Sequence, residues 1–319
     1  TVQVRLEQDG FFGFGEASMP PYLGESIESV SRFLSTLNPA TWHTDQISEA
    51  LEIVDAHSAS DNAAKASIDI ALHDLKAKIE GLPTRQLLGI EANETPITAF
   101  TIGMGTKDEL KQKLVDAALF HQLKIKLGGS DDKEKIAFLR TQTDKPFLVD
   151  ANQGWKDEVS ALNLLDFMST KNVLLVEQPL PTHTDPETWL SLKKRSPIPI
   201  FADESIKRRS DLVRIGQLFH GVNIKLMKST GLAEAFDMLK LTREFGLKTM
   251  IGCMTESSCA IMAAAQLASL ADFVDLDGPF LVSNNPFEIP SVKNGRIQLK
   301  PEHGHGAIPL DGIYPIHSH

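Results

Sequence analysis

Phe147-Leu148-Val149-Asp150-Ala151-Asn152 and Val173-Leu174-Leu175-Val176-Glu177-Gln178-Pro179 are two short apolar runs that each stop on an acid. Apolar runs of this length, bounded by turn residues, read as buried strands. The form recurs upstream in Leu123-Lys124-Ile125-Lys126-Leu127. It recurs downstream in Ile198-Pro199-Ile200-Phe201-Ala202-Asp203 and Val222-Asn223-Ile224-Lys225-Leu226. The charged residues of successive runs lie about 25 residues apart, the length of one strand plus one helix. Amphipathic segments such as Lys107–Phe120, Lys133–Thr141 and Ala233–Phe245 fill the intervals. Further runs at Ile97–Ile102, Thr249–Ile251 and Phe273–Leu276 extend the series to seven or eight βα units. Parallel strands follow, and most simply a closed (β/α) barrel. An open doubly wound sheet usually announces a glycine-rich phosphate loop after its first strand, and Thr101-Ile102-Gly103-Met104-Gly105 matches that poorly.

The region before Pro96 is different. Val2, Val4 and Leu6 alternate with polar residues, Asp9-Gly10 signals a tight hairpin, and Phe11-Phe12-Gly13-Phe14 starts the return strand. A helix is expected from an N-cap at Asp61, through Ala64, Ile68, Ala71, Leu72, Leu75 and Ile79, to Gly81 and Pro83. This opening block reads as a small α+β unit. After Pro290 the chain is turn-rich, with Arg296-Ile297-Gln298-Leu299 as a short strand. His303-Gly304-His305-Gly306 reads as a surface turn, and His317-Ser318-His319 as a flexible end.

The totals are those of an ordinary globular protein: 319 residues, 42% hydrophobic and 23% charged. A net charge of −10 and scattered Lys and Arg argue against a nucleic-acid surface. No apolar run is long enough to span a bilayer. Two cysteines, Cys253 and Cys259, are no disulfide framework; two buried thiols and a cytoplasmic setting are expected. The chain starts at Thr1 inside a strand pattern, so a preceding strand is expected outside this sequence.

In a barrel, Lys126, Asp150, Glu177, Asp203 and Lys225 converge on the C-terminal mouth. A single Asp after a strand is more often a helix cap. Three acids on consecutive units, between lysines on the units either side, need another explanation. Converging carboxylates repel unless a cation neutralises them, and an all-oxygen set suits one Mg²⁺. Asn152 and Gln178 stand where they could orient ligands or waters. A metal beside a substrate carboxylate stabilises the enediolate formed when the neighbouring carbon loses a proton. Lys126, with Lys124 on the same strand face, is expected to have a lowered pKa through like-charge repulsion. Lys225 approaches from the other side, and opposed bases allow inversion of the carbon.

Taken together, Lys124-Ile125-Lys126, Val149-Asp150-Ala151-Asn152, Val176-Glu177-Gln178-Pro179, Ala202-Asp203-Glu204-Ser205 and Asn223-Ile224-Lys225 resemble the enolase superfamily, in its muconate-lactonizing-enzyme subgroup. Ala66–Leu75 and Gly13-Phe14-Gly15-Glu16-Ala17 resemble parts of that family's capping region. The resemblance implies a modified (β/α)7β TIM-type barrel over residues 93–290, an α+β capping domain over 1–92, and a segment 291–319 returning to the cap. It implies Asp150, Glu177 and Asp203 as metal ligands and Lys126 and Lys225 as the acid/base pair.

Asp275-Leu276-Asp277 resembles the Asp-x-Asp with which dipeptide epimerases hold a substrate ammonium; the competing reading is that Asp277-Gly278-Pro279 is only a turn. Lys124, Thr101, Cys253 and Met254 are further expected substrate contacts, and Pro20–Gly24 falls where the family has a loop over the substrate. The expected activity is epimerisation of the second residue of a dipeptide, L-Ala-D/L-Glu or an Ala-hydrophobic type. The expected partners are that small molecule and further copies of the chain, with neither nucleic acid nor membrane. The alternatives are a lyase or cycloisomerase (o-succinylbenzoate synthase or muconate cycloisomerase), which needs no ammonium site, and a binding module that only keeps the fold.

Overall fold

The computed structural model describes residues 1–312; the expected flexible end at His317–His319 lies outside them. Strands β1 (Val2–Gln8) and β2 (Phe11–Ala17) pair antiparallel around Asp9 and Gly10. Both turn residues have positive φ, 53° and 80°, the twist that a two-residue hairpin favours. Helices α1 (Ile27–Ser35), α2 (Ile47–Ala56), α3 (Asn62–Glu80) and the short α4 (Thr84–Leu87) complete the capping unit. The β-hairpin lies directly on α3. A Cβ on Gly15 would stand 1.8 Å from the Ser67 carbonyl oxygen, so only glycine allows this approach.

Helix α3 starts where expected but is capped differently. Asp61 has left-handed backbone, φ 62°, and its carboxylate accepts from the Ser58 and Ser60 hydroxyls instead of from the helix. Glu25, remote in sequence, accepts from the free N–H groups of Ala63 and Ala64 at 2.9 and 3.1 Å.

Eight parallel strands follow in consecutive order: β3 (Ala99–Ile102), β4 (Gln122–Lys126), β5 (Phe147–Asp150), β6 (Val173–Glu177), β7 (Ile200–Ala202), β8 (Gly221–Lys225), β9 (Lys248–Gly252) and β10 (Phe273–Asp275). A parallel bridge between Thr98 and Val274 closes the ring, and Leu276 N–H donates to Thr98 Oγ1 at 3.0 Å. Seven helices alternate with the strands: α5 (Lys107–Asp116), α6 (Asp132–Gln142), α7 (Glu158–Ser169), α8 (Pro186–Arg195), α9 (Leu212–Leu218), α10 (Leu232–Glu244) and α11 (Ser258–Ala265). This is the (β/α)7β barrel; the short α12 (Gly278–Leu281) comes after its last strand. Among the described residues no helix is long and apolar enough to cross a membrane.

Strand alternation explains where the site sits. Side chains two residues apart share a face. Ala99, Leu148, Leu175, Phe201 and Met250 form a separate buried cluster inside the barrel, with Phe273 edge-on to Phe201 at 5.7 Å. Two residues beyond Leu148, Leu175, Phe201 and Phe273 come Asp150, Glu177, Asp203 and Asp275. The apolar plug is the floor, and in these four strands the next inward residue is charged.

Buried carboxylates fasten the capping unit to the barrel. Glu16 on β2 is 0% exposed and accepts from Ser257 N–H at 2.9 Å, from the Ser257 hydroxyl, and from Ala260 N–H at 3.2 Å at the start of α11. Asp69 on α3 accepts from Leu232 and Ala233 N–H at 2.9 and 3.1 Å at the start of α10, and pairs with His73 Nδ1 at 2.9 Å. Anions at helix N-termini meet unsatisfied donors there.

The His303–Gly306 segment is a turn that is exposed at His303, as expected, but buried at Gly304 and His305. His305 is 0% exposed; its N–H donates to Asp74 at 2.9 Å and its Nε2 lies 3.0 Å from the Phe14 carbonyl oxygen. Asp74 is a buried carboxylate on α3 that needs donors, and it also takes Phe14 N–H and Lys78.

Candidate active site

Asp150 and Glu177 end β5 and β6, and Asp203 directly follows β7. One oxygen from each lies within 4.8 Å of the others, and all three residues are buried. The flanking strands supply lysines: β4 carries Lys124 and Lys126, and β8 carries Lys225. Lys126 donates to Asp150 Oδ2 at 2.8 Å and Lys225 to Asp203 Oδ2 at 2.7 Å. The expected triad and the two expected bases therefore meet at the C-terminal mouth of the barrel, with the lysines on the strands either side of the acids.

Lys124 is enclosed rather than free. Its ammonium lies 2.8 Å from Asp275 Oδ2, 3.1 Å from Asp150 Oδ2 and 3.1 Å from Glu177 Oε1. Burial opposes its charge, but these carboxylates outweigh burial and hold it well above the ordinary lysine value. The like-charge relation expected between Lys124 and Lys126 is buffered, because both ammoniums share Asp150 Oδ2.

Among the acids, burial alone would raise all three. Lys124 and Lys126 hold Asp150 well below the carboxylate range, and Lys225 and Lys228 do the same to Asp203. Glu177 is different: burial, with repulsion from Asp150 and Asp203, pushes it up to about 7. Its Oε1 accepts no aligned hydrogen bond. An all-carboxylate set with one under-satisfied buried oxygen fits a hard divalent cation. Asp150, Glu177 and Asp203 are the residues that could hold it.

The flanking polar residues orient these acids. Asn152 donates its N–H to Asp150 Oδ1 at 3.0 Å, and its side-chain oxygen accepts from Lys126 at 3.3 Å. Gln178 Oε1 accepts from Asp203 and Ser205 N–H at 3.1 and 3.2 Å, tying the end of β6 to the end of β7. Three contributors were not anticipated. Asn223 donates to Glu177 Oε2 at 2.8 Å, Lys228 binds Asp203, and Glu204 leaves a buried carboxylate oxygen without a partner.

Asp275 and Asp277 lie together at the barrel end of β10, 3% and 2% exposed. Asp275 gives one oxygen to Lys124 and leaves Oδ1 buried with no partner. Asp277 does begin a turn, but its side chain makes no cap bond; it reaches across to Thr101 N–H at 2.6 Å. Burial, then Asp275, pushes Asp277 up to about 7. Cys253 is buried, and burial, with Asp275 and Asp277, raises its thiol. Met254 accepts from the Tyr22 hydroxyl at 2.9 Å, so the Pro20–Gly24 loop reaches the rim of the mouth. Both cysteines are free and buried, as expected.

Glu256, next to this rim, offers a test of the electrostatics. It is 1% exposed; burial, with repulsion from Glu16, pushes it from 4.5 up to about 8. A raised folded value means that folding favours the protonated acid. That contribution is complete below about pH 4.5 and is lost as pH rises through about 8. Glu256→Gln should therefore stabilise the fold at pH 8–9 by a few kcal/mol, on the order of several °C in Tm, with no gain near pH 4.5. Equal melting-temperature differences at both pH values would contradict this assignment.

A (β/α)7β barrel under an α+β cap, with acids on three consecutive strand ends between lysines, is the arrangement of the enolase superfamily. The family model described as "Enolase C-terminal domain-like" matches residues 106–311, and "Mandelate racemase / muconate lactonizing enzyme, N-terminal domain" matches 1–89; the chain belongs to this family. It is 46% identical to the L-Ala-D/L-Glu epimerase of Bacteroides thetaiotaomicron, covering 97% of this chain and 81% of that one. It is 37% identical to the L-Ala-D/L-amino acid epimerase of Pedosphaera parvula, covering 92% and 85%. The dipeptide epimerase from Cytophaga hutchinsonii, solved with Mg and the dipeptide D-Ala-L-Val, superposes with a TM-score of 0.87 at 26% identity, covering 98% of this chain and 89% of that one.

Proposed function

We infer that this chain is a dipeptide epimerase, an isomerase that inverts the α-carbon of the second residue by 1,1-proton transfer. The observation that carries the reading is Asp275 Oδ1, buried without a partner beside a second buried aspartate, in the mouth that holds the opposed lysines. A buried carboxylate pair with an unused acceptor suits an ammonium, here the free amino end of a dipeptide.

One lysine, as the neutral amine, removes the α-proton. The C–H electron pair moves into the adjacent carboxylate to give an enediolate. The lysine opposite, as the ammonium, returns a proton to the other face. A Mg²⁺ ion on Asp150, Glu177 and Asp203, one per chain, would supply positive charge against which that second negative charge develops. The names of the relatives support L-Ala-D/L-Glu and Ala-hydrophobic dipeptides as the substrate class. A homo-oligomer acting in the cytoplasm completes the reading.

The test is a dipeptide library in D₂O with Mg²⁺, read by mass spectrometry for a gain of one mass unit. Asp275→Asn and Asp277→Asn should each lower kcat/KM by about 2–4 kcal/mol, roughly 30- to 1,000-fold. If both variants keep wild-type turnover, the ammonium site is wrong, and a cycloisomerase or lyase takes its place.

A further inference from the structure

We propose that Lys228 is a positioning residue that fixes Asp203 for both the metal and Lys225. Lys228 is 1% exposed, and three acceptors surround its ammonium: Asp203 Oδ1 at 2.5 Å, the Asp203 carbonyl at 2.6 Å and the Asn223 carbonyl at 3.0 Å. An ammonium has three donors, so Lys228 has none left for a substrate. All its bonds go to the strand end that bears Asp203 and to the strand that bears Lys225.

The consequence falls on the two Asp203 oxygens. Lys228 occupies Oδ1 while Lys225 donates to Oδ2. The carboxylate is thus held against rotation, and Oδ2 is the oxygen turned toward Lys225. On the Asp150 side the arrangement differs. There Lys124 and Lys126 share the same oxygen, Oδ2, and the Asn152 N–H holds Oδ1. The two bases are therefore oriented by different devices: a backbone amide on one side and a buried cation on the other. Asn62 donates to the Lys228 carbonyl at 2.8 Å, so the turn that carries Lys228 is itself held from the capping unit. Removing the Lys228 ammonium should loosen Asp203 and with it Lys225, leaving Lys126 in place.

The proposal rests on the epimerase reading only for its exchange readout; its metal readout is independent of substrate. The variants are Lys228→Met, which keeps the apolar stem, and Lys228→Gln, which keeps hydrogen-bonding capacity without charge. Titration calorimetry with Mg²⁺ alone should show the dissociation constant rising about 10–100-fold in both. At saturating Mg²⁺, α-deuterium exchange should fall about tenfold further for the isomer that Lys225 serves than for the isomer that Lys126 serves. The Lys225 isomer is the one that Lys126→Ala still exchanges. Wild-type Mg²⁺ affinity in a folded variant overturns the proposal, as does equal loss on the two faces. Failure of both variants to fold also overturns it, because Lys228 is then a requirement of the fold. Should no dipeptide exchange at all in the wild type, the epimerase reading fails while the calorimetry still decides the role of Lys228.

Discussion

Lys126→Ala and Lys225→Ala are each expected to abolish epimerisation while sparing half of the exchange chemistry. Each lysine stands on its own side of the acids, paired with a different one. Inversion needs both, since a proton leaves one face and another arrives at the opposite face. Exchange with solvent needs only one, since a single lysine can remove and return a proton on its own face. Each variant should lose about 10²–10⁴-fold in epimerisation. Each should still incorporate deuterium into one isomer, and the two variants should favour opposite isomers. Full turnover in both directions by either variant would sink the two-base mechanism. Lys126, at 32% side-chain exposure, should tolerate truncation well. Lys225, at 5%, faces Asp203 in the interior, and its removal should lower the melting temperature more.

The second large effect is expected from Asp203→Asn. Asp203 serves three demands: it belongs to the triad that could hold a metal ion, and it accepts from two buried ammoniums, Lys225 and Lys228. Removing its charge leaves both cations short of their partner, which costs about 3–5 kcal/mol of stability. Activity should fall about 10³-fold. Mg²⁺, which should raise the melting temperature of the wild type by binding the folded form, should no longer do so. Glu177→Gln gives the contrast. Burial and its acidic neighbours already push Glu177 up to about 7, so an amide there imitates a form that the site tolerates. It should lose the Mg²⁺ response with little loss of stability in metal-free protein. A melting temperature that Mg²⁺ raises equally in Asp203→Asn and wild type would remove Asp203 from the metal centre.

How much of this was legible depended on whether the signal was local. In β5, β6, β7 and β10 apolar residues announce the strand, and the candidate functional group is the next inward position. Asp150, Glu177, Asp203 and Asp275 are therefore readable from the strand patterns that carry them. Lys228 was not, although it lies three residues after Lys225, because a lysine in a turn looks solvated until the partner carboxylate is seen. Asp61 illustrates the opposite failure. Its type and position suit a cap, but a left-handed backbone and two serine hydroxyls turn its carboxylate elsewhere, and Glu25 does the work. His305 sits among glycines that signal a turn, and nothing nearby in sequence reveals that Asp74 draws that turn inward. The Lys124 cage was hidden for a related reason. The spacing of Lys124 and Lys126 shows two like charges on one face, while the anions around Lys124 come from three other strands.

Glu16 and Asp69 carry a consequence for how this architecture can be inherited. Each is an acid of the capping unit spent on the start of a barrel helix, Glu16 at α11 and Asp69 at α10. A barrel that acquired a foreign cap would have to find both acids again at the same two places. A cap grafted onto a foreign barrel would bring Glu16 without its donors and leave Asp69 only its His73 partner. The two parts are therefore matched at these two places, and replacing either one alone would leave helix starts without the acids that now receive them.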